Sequence, residues 1–172
     1  MTDTSIASVE LCPVLSSVDK GTAELRDGMA SRVLLSRRFG RLEVFPDQIL
    51  HFSPGLLGFE ELQAYCLVAP EALRPLMFLV ACDDPEVAFP VLPARMCLAE
   101  YTPILPPEAL EAVGAVTDEG LDILAICAMA PDTMTLHANL RGPVLINMQK
   151  RLGYQAVLPD SPYSLRHLLG AG

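Results

Sequence analysis

Residues 76–92 read LMFLVACDDPEVAFPVL: an unbroken apolar run, an acidic turn and a second apolar run. The first arm, Leu76 to Cys82, is seven residues without a polar interruption. That is too short to cross a bilayer and fits a strand covered on both faces. Asp83 opens a turn, and Pro85 presets its own φ while pushing Asp84 out of helical geometry, so the chain is expected to reverse as a hairpin. Pro90 in the second arm has no amide hydrogen for a sheet ladder, which places it at an edge or a bulge. The stretch reads as a hydrophobic hairpin with Asp83, Asp84 and Glu86 at its tip, three acids around a proline that are expected to be solvated.

Upstream, residues 39–45 (FGRLEVF) alternate Leu42 and Val44 against Arg41 and Glu43, the period of a half-buried strand. Residues 48–52 and 65–68 read as further strands around a Pro/Gly loop in which Gly55 and Gly58 are expected to take backbone angles other residues avoid. Residues 69–75 read as a turn region. Downstream, residues 96–98 read as a strand and residues 101–107 as an extended segment stiffened by Pro103, Pro106 and Pro107. Residues 107–114 form the one clean helix signal, with Pro107 near the first position, Glu108 in the first turn and Gly114 as the stop. Asp118-Glu119-Gly120 is an acidic turn before a buried strand at 121–129. Strands at 135–140 and 144–146, separated by Gly142-Pro143, and at 154–158 complete the pattern.

Residues 1–38 are charge-balanced, with five acidic and five basic side chains, and show no alternation. Leu25, Met29 and Val33 fall at i, i+4 and i+8, which permits a helix over residues 22–35 that Gly28 weakens. We expect an N-terminal extension, flexible or loosely helical, over residues 1–38, and a folded domain over residues 39–170.

Hydrophobic residues make up 51% of the 172 and charged residues 19%, enough apolar material for a sizeable core. Fifteen prolines and eleven glycines between short apolar runs favour an all-β, mainly antiparallel architecture with one short helix. Asp3 and Glu10 stand early, and no cationic start leads into an apolar stretch, so no secretory signal is visible and a cytoplasmic protein is expected. The five cysteines, Cys12, Cys66, Cys82, Cys97 and Cys127, are odd in number and contain no C-x-x-C pair. They read as reduced core thiols. His51, His137 and His167 show no ligand spacing, so no metal is expected.

Charge is unevenly distributed. Residues 42–140 hold 15 acidic and two basic side chains, a net of −13, whereas residues 141–172 carry +3. Such a body repels phosphate backbones and attracts basic proteins, which argues against direct nucleic-acid binding. Cys127, Asp132 and His137 lie within ten residues of one another. No nucleophile elbow or oxyanion loop accompanies them, and no G-x-G-x-x-G, Walker loop or H-E-x-x-H is present. No enzymatic activity, cofactor or membrane segment is expected.

FGRLEV at 39–44, FSPGLLGFE at 52–60, DDPEVAFPV at 83–91, ANLRGPVLIN at 138–147 and YSLRH at 163–167, taken together in this order, resemble the FliW family of flagellar assembly factors. Each motif alone is weak, since Pro/Gly turns are common in β proteins; the ordered set is specific and covers about residues 39–169. The extension before Phe39 is longer than the family usually shows, and Leu57, His137 and Pro162 depart from its pattern. The resemblance implies a small, partly closed antiparallel β-barrel without cofactor or catalytic centre. It further implies a cytosolic chaperone that binds flagellin and, when flagellin is scarce, binds the translational regulator CsrA as an allosteric antagonist. A monomer is expected when free. The alternative is an acidic interaction module that antagonises a different basic or nucleic-acid-binding protein.

For partner contact the expected residues are Asp83, Asp84 and Glu86 at the hairpin tip, Phe89 and Val91 on its second strand, and Asp118 and Glu119. Charge reversal at the tip is expected to slow association and leave the fold intact. Asn139, Asn147, Arg166 and His167 match motif positions and read mainly as backbone braces.

Overall fold

The computed structural model describes the backbone of residues 9–11 and residues 28–170 in full. Along the chain the strands are β1 (Val9–Leu11), β2 (Arg32–Ser36), β3 (Gly40–Val44), β4 (Leu50–Phe52), β5 (Ala64–Pro70), β6 (Met77–Ala81) and β7 (Ala88–Pro93). Two short helices follow, α1 (Ala94–Cys97) and α2 (Pro107–Ala112), then β8 (Asp122–Ala130), β9 (Thr135–Asn147), β10 (Leu152–Gln155) and β11 (His167–Leu168). Strands β5-β4-β10-β9-β8-β7-β6 pair in that order and β6 returns to β5, closing a barrel of seven strands. All these pairings are antiparallel except β4 with β10, where Leu152 stands opposite His51. The expected all-β barrel is therefore the observed architecture, and its ring is complete.

Period-two alternation splits the barrel residues between two environments. Leu50, Phe52, Tyr65, Leu67, Leu79, Val91, Leu124, Val144 and Ile146 fill the interior. The outward-facing Cys66, Val68, Phe78 and Val80 of β5 and β6, and Cys82 just after β6, are also buried, under Leu34, Phe39, Leu42 and Val44 of the separate β2-β3 hairpin. Phe39 meets Phe78 edge to face at 5.0 Å, and the Arg38 guanidinium lies over Phe78. This hairpin is why the run from Leu76 to Cys82 carries no polar residue: both faces of its strand are covered. Each fully buried Leu, Phe or Val there contributes about 1.5–3 kcal/mol relative to exposure.

A second cover lies over β7, β8 and β9. It consists of α1 and an extended strap, residues 98–106, and it buries Leu92, Ala94, Tyr101, Ala125, Cys127, Ala138 and Leu140. Tyr101 ties it down by donating its hydroxyl hydrogen to the Leu140 carbonyl at 2.7 Å. A third cover, α2, packs Ala109 and Val113 on Leu145, Ala156 and Leu158.

Several sequence expectations change. The helix read over 22–35 is strand where it is described from Arg32 onward, because Leu34 and Ser36 alternate inward against Leu42 and Gly40 of β3. Residues 22–27 of that helix lie outside the described residues. The hairpin crosses the domain boundary expected at residue 39, and β1 within the expected extension pairs antiparallel with β5. Residues 96–98 do not form a strand: Leu98 N donates to Ala94 O and closes the single turn of α1, so the barrel carries two short helices, not one. Gly142-Pro143 does not divide two strands. β9 runs through it, because Asn139 Oδ1 accepts from the amides of Arg141 and Gly142 where the β8 register shifts between Leu124 and Ile126. The irregularity is a bulge.

Pro90 sits in an interior strand, yet it behaves as an edge residue: β7 pairs with β8 only over 91–93, so no β8 residue is registered opposite Pro90. In the Pro/Gly loop, Gly58 takes a φ of +83°. Gly55 does not; it is required because a Cβ there would stand 2.2 Å from the Leu62 carbonyl oxygen.

Candidate functional site

The expected contact residues fall into three settings. At the tip of the β6-β7 hairpin, Asp83 accepts from Arg32 Nη2 at 2.8 Å, and Glu86 Oε1 accepts from the backbone amide of Arg37 at 2.8 Å. The Asp83 carboxylate raises the Arg32 guanidinium above its ordinary value. Asp84 caps its own turn, accepting from the amide of Glu86. The tip is exposed, but two of its three carboxylates anchor the β2-β3 hairpin to the barrel. Reversing their charge would loosen that hairpin, contrary to the expectation that the fold would be indifferent.

Phe89 and Val91 are in the second setting. Val91 is fully buried in the interior and Phe89 is half-buried, edge to face with Phe59 at 5.1 Å. Val91 is therefore a packing residue, not a contact residue, because its alternation points it into the barrel. Asp118 and Glu119 form the third setting. They are exposed, and their turn is closed by its backbone, with Leu121 N donating to Asp118 O. Since β7 leads away from the 82–87 turn and its far end, Pro93, registers against Leu124, the two acidic turns stand at opposite ends of β7.

The Asp118 turn opens beside a feature that no motif signalled. Strap residues Ile104, Leu105 and Pro106, with Pro107 at the start of α2, face Val157, Pro159, Pro162 and Tyr163 across an apolar cleft of about 490 Å³. Ile104 is 93% exposed and Val157 52%. On the strap's other flank a second hollow of about 300 Å³ is lined by Arg95, Thr102, Pro103, Asp118 and Asp122. Burial pushes the Asp122 carboxyl above the usual carboxylate range. Tyr163 braces the middle of the strap: it packs on Tyr101 with ring centroids 4.5 Å apart, and its hydroxyl accepts from the Thr102 amide. Prolines along both walls hold the cleft open without needing ladder hydrogen bonds. A large aliphatic side chain left in water beside prolines and carboxylates is the composition of a protein-binding patch. The sequence signal was the facing pair of proline-rich segments, 103–107 and 159–162, which only the fold brings together.

The family-motif residues serve the fold. Asn147 Nδ2 donates to Val113 O and fastens α2, while Arg141 donates to the carbonyls of Leu158 and Pro159 and holds the cleft wall. Arg166 donates its amide to Ser164 Oγ, and His167 pairs with Ala138. Cys127 registers with Ala138 while His137 registers with Ala128, so Cys127 and His137 lie on opposite faces of the sheet and cannot form a thiol–imidazole pair. Among the described residues, no group of three His, Cys, Asp or Glu is placed to hold a metal ion, and no helix is long and apolar enough to cross a membrane.

Residues 33–169 match the FliW protein family. The chain is 36% identical over 135 residues to the flagellar assembly factor FliW of Thermotoga sp. strain RQ2, covering 77% of this chain and 89% of that protein. It is 34% identical over 130 residues to the protein of the same description from Geotalea uraniireducens strain Rf4, covering 76% and 79%. The fold superposes on a crystal structure of the flagellar assembly factor FliW with a TM-score of 0.73 at 26% identity, covering 81% of this chain and 97% of that one.

Proposed function

The chain belongs to the FliW family of flagellar assembly factors, and from that premise we propose that it acts in the cytoplasm by occupying two protein partners in turn. It holds flagellin before export. When flagellin is scarce, it binds the translational regulator CsrA and relieves repression of flagellin translation. The observation that carries this reading is the strap face, where an apolar cleft stands beside unanchored carboxylates. An apolar cleft suits a chaperone that shields a partner's hydrophobic surface. A surface dominated by carboxylates suits a regulator whose RNA-binding sites are basic, and it speeds their encounter. If binding of one partner weakens binding of the other, the free fraction of this protein reports the flagellin level by mass action. Such a circuit needs no bond-making step and no cofactor.

Titrating the purified protein with flagellin and CsrA, separately and together, tests the proposal. Each is expected to bind alone, and added flagellin is expected to release CsrA. Binding of neither would leave the other reading, an acidic module directed at a different basic protein, which capture from a motile cell lysate would identify.

A further inference from the structure

Adjacent residues of the strap look onto different recesses. Pro103 lines the hollow of about 300 Å³, Ile104 lines the apolar cleft of about 490 Å³, and Thr102 borders both. One extended segment divides them, about the 5 Å width of a single strand. The recesses differ in chemistry. The cleft is walled by proline and aliphatic side chains, and Ile104 stands 93% exposed at its edge. The hollow is amphipathic: Pro103, Leu121 and Ile123 give it apolar wall, and Asp118 and Asp122 give it carboxylates. That lining matches a long cationic side chain, whose methylene stem covers apolar surface while its head meets an anion. Asp122 is half-buried, and burial alone displaces its titration, with no hydrogen bond or opposite charge acting against it. Arg95 also lines the hollow, but it is exposed and does not offset that burial. Two carboxylates against one guanidinium leave the hollow a net charge of −1.

We propose that the strap divides a two-part recognition site, in which a basic partner straddles residues 102–104, seating an aliphatic side chain in the cleft and a lysine or arginine side chain in the hollow between Asp118 and Asp122. The inference rests on the strap-face reading above and commits this pair of recesses to one of its two partners, the basic regulator CsrA, by charge complementarity. Side chains at i and i+3 or i+4 of a helix stand about 5–6 Å apart, and those at i and i+2 of a strand about 7 Å, so one short segment reaches both recesses. The incoming cation supplies the counter-ion that Asp122 lacks, and a half-buried carboxylate gains more from such a partner than an exposed one does. Arg95 is then a resident cation that the partner's side chain must meet and displace toward water.

Affinity for CsrA is measured by titration calorimetry on the full-length protein and on its Ile104→Ala, Asp122→Asn and Arg95→Ala variants, with flagellin titrated in parallel and urea midpoints checking that each variant folds. Ile104→Ala and Asp122→Asn are each expected to weaken CsrA binding about tenfold, and the loss from Asp122→Asn is expected to shrink as salt rises. Arg95→Ala is expected to tighten CsrA binding about threefold, an effect that mere bracing of the fold does not produce. Flagellin affinity is expected to be the same in Asp122→Asn and Arg95→Ala as in the parent. If the parent binds CsrA and Asp122→Asn and Arg95→Ala bind it equally well, the two-part site is overturned while the proposed function stands. Equal losses of flagellin and CsrA binding in Asp122→Asn would overturn the choice of partner. A parent that binds no CsrA would overturn both the site and the reading beneath it.

Discussion

Two covers lie on the outer wall of the same barrel, and they are built to opposite ends. The β2-β3 hairpin seals β5 and β6: its apolar residues are buried, its neighbouring acidic turn is turned inward onto Arg32 and the Arg37 amide, and the thiols beneath it are closed to solvent. The strap over β7–β9 leaves Ile104 in water, an acidic turn unanchored and a thiol half-open. Two acidic turns that look alike in sequence therefore do different work, one holding the fold together and the other facing outward. A carboxylate's role is set by what the fold brings within about 3 Å of it, which local sequence does not state.

The contrast is broken most forcefully at the hairpin. Leu34→Ala is expected to destabilise the protein by about 2–5 kcal/mol, as a deletion in a packed core, whereas Ile104→Ala is expected to leave stability within about 0.5 kcal/mol. Urea unfolding midpoints compare the two directly. Next in size, replacing Asp83, Asp84 and Glu86 by Lys removes an acceptor from the Arg37 amide and sets like charges against Arg32. A loss of about 1–3 kcal/mol is expected, with faster amide exchange over residues 32–44.

The corresponding reversal Asp118→Lys with Glu119→Lys sharpens the comparison. Stability is expected to hold within about 0.5 kcal/mol, while association with CsrA slows roughly tenfold at low salt and less as salt rises, read by stopped-flow mixing. Asp122 gives the smallest effect. Its folded-state pKa lies above the unfolded value, so its contribution to stability is fully present below about pH 4 and is lost as pH rises through the folded value. Asp122→Asn is accordingly expected to be as stable as the parent or slightly more so at pH 7, with the difference shrinking toward pH 4 in denaturation series.

Much of the barrel was legible because burial on both faces writes itself as an unbroken apolar run, as in residues 76–82, and half-burial as alternation, as in residues 39–45. The hairpin's first strand was not. Val33 completes a helical period in sequence with Leu25 and Met29 yet lies in β2, and Val33, Leu34 and Leu35 carry the same hydrophobicity whichever of them turns inward. The strap cleft was illegible for a different reason. Its walls, 102–107 and 157–163, are separated in sequence by α2, β8, β9 and β10, and nothing in either proline-rich segment names the other. Distance in sequence hid the ion pair too: Asp83 meets Arg32 across 51 positions. The ordered family motifs identified the family while marking mainly the residues that brace its backbone, Asn139 and Asn147 among them.

Hydrogen exchange read by mass spectrometry, on the free protein and on its saturated complexes with flagellin and with CsrA, asks directly which cover is the docking face. If the strap face receives partners, at least one complex protects residues 101–107, 118–121 and 157–163 and leaves residues 32–44 unchanged. Protection confined to residues 32–44 and the 83–86 turn, with the strap exchanging as in the free protein, would contradict it.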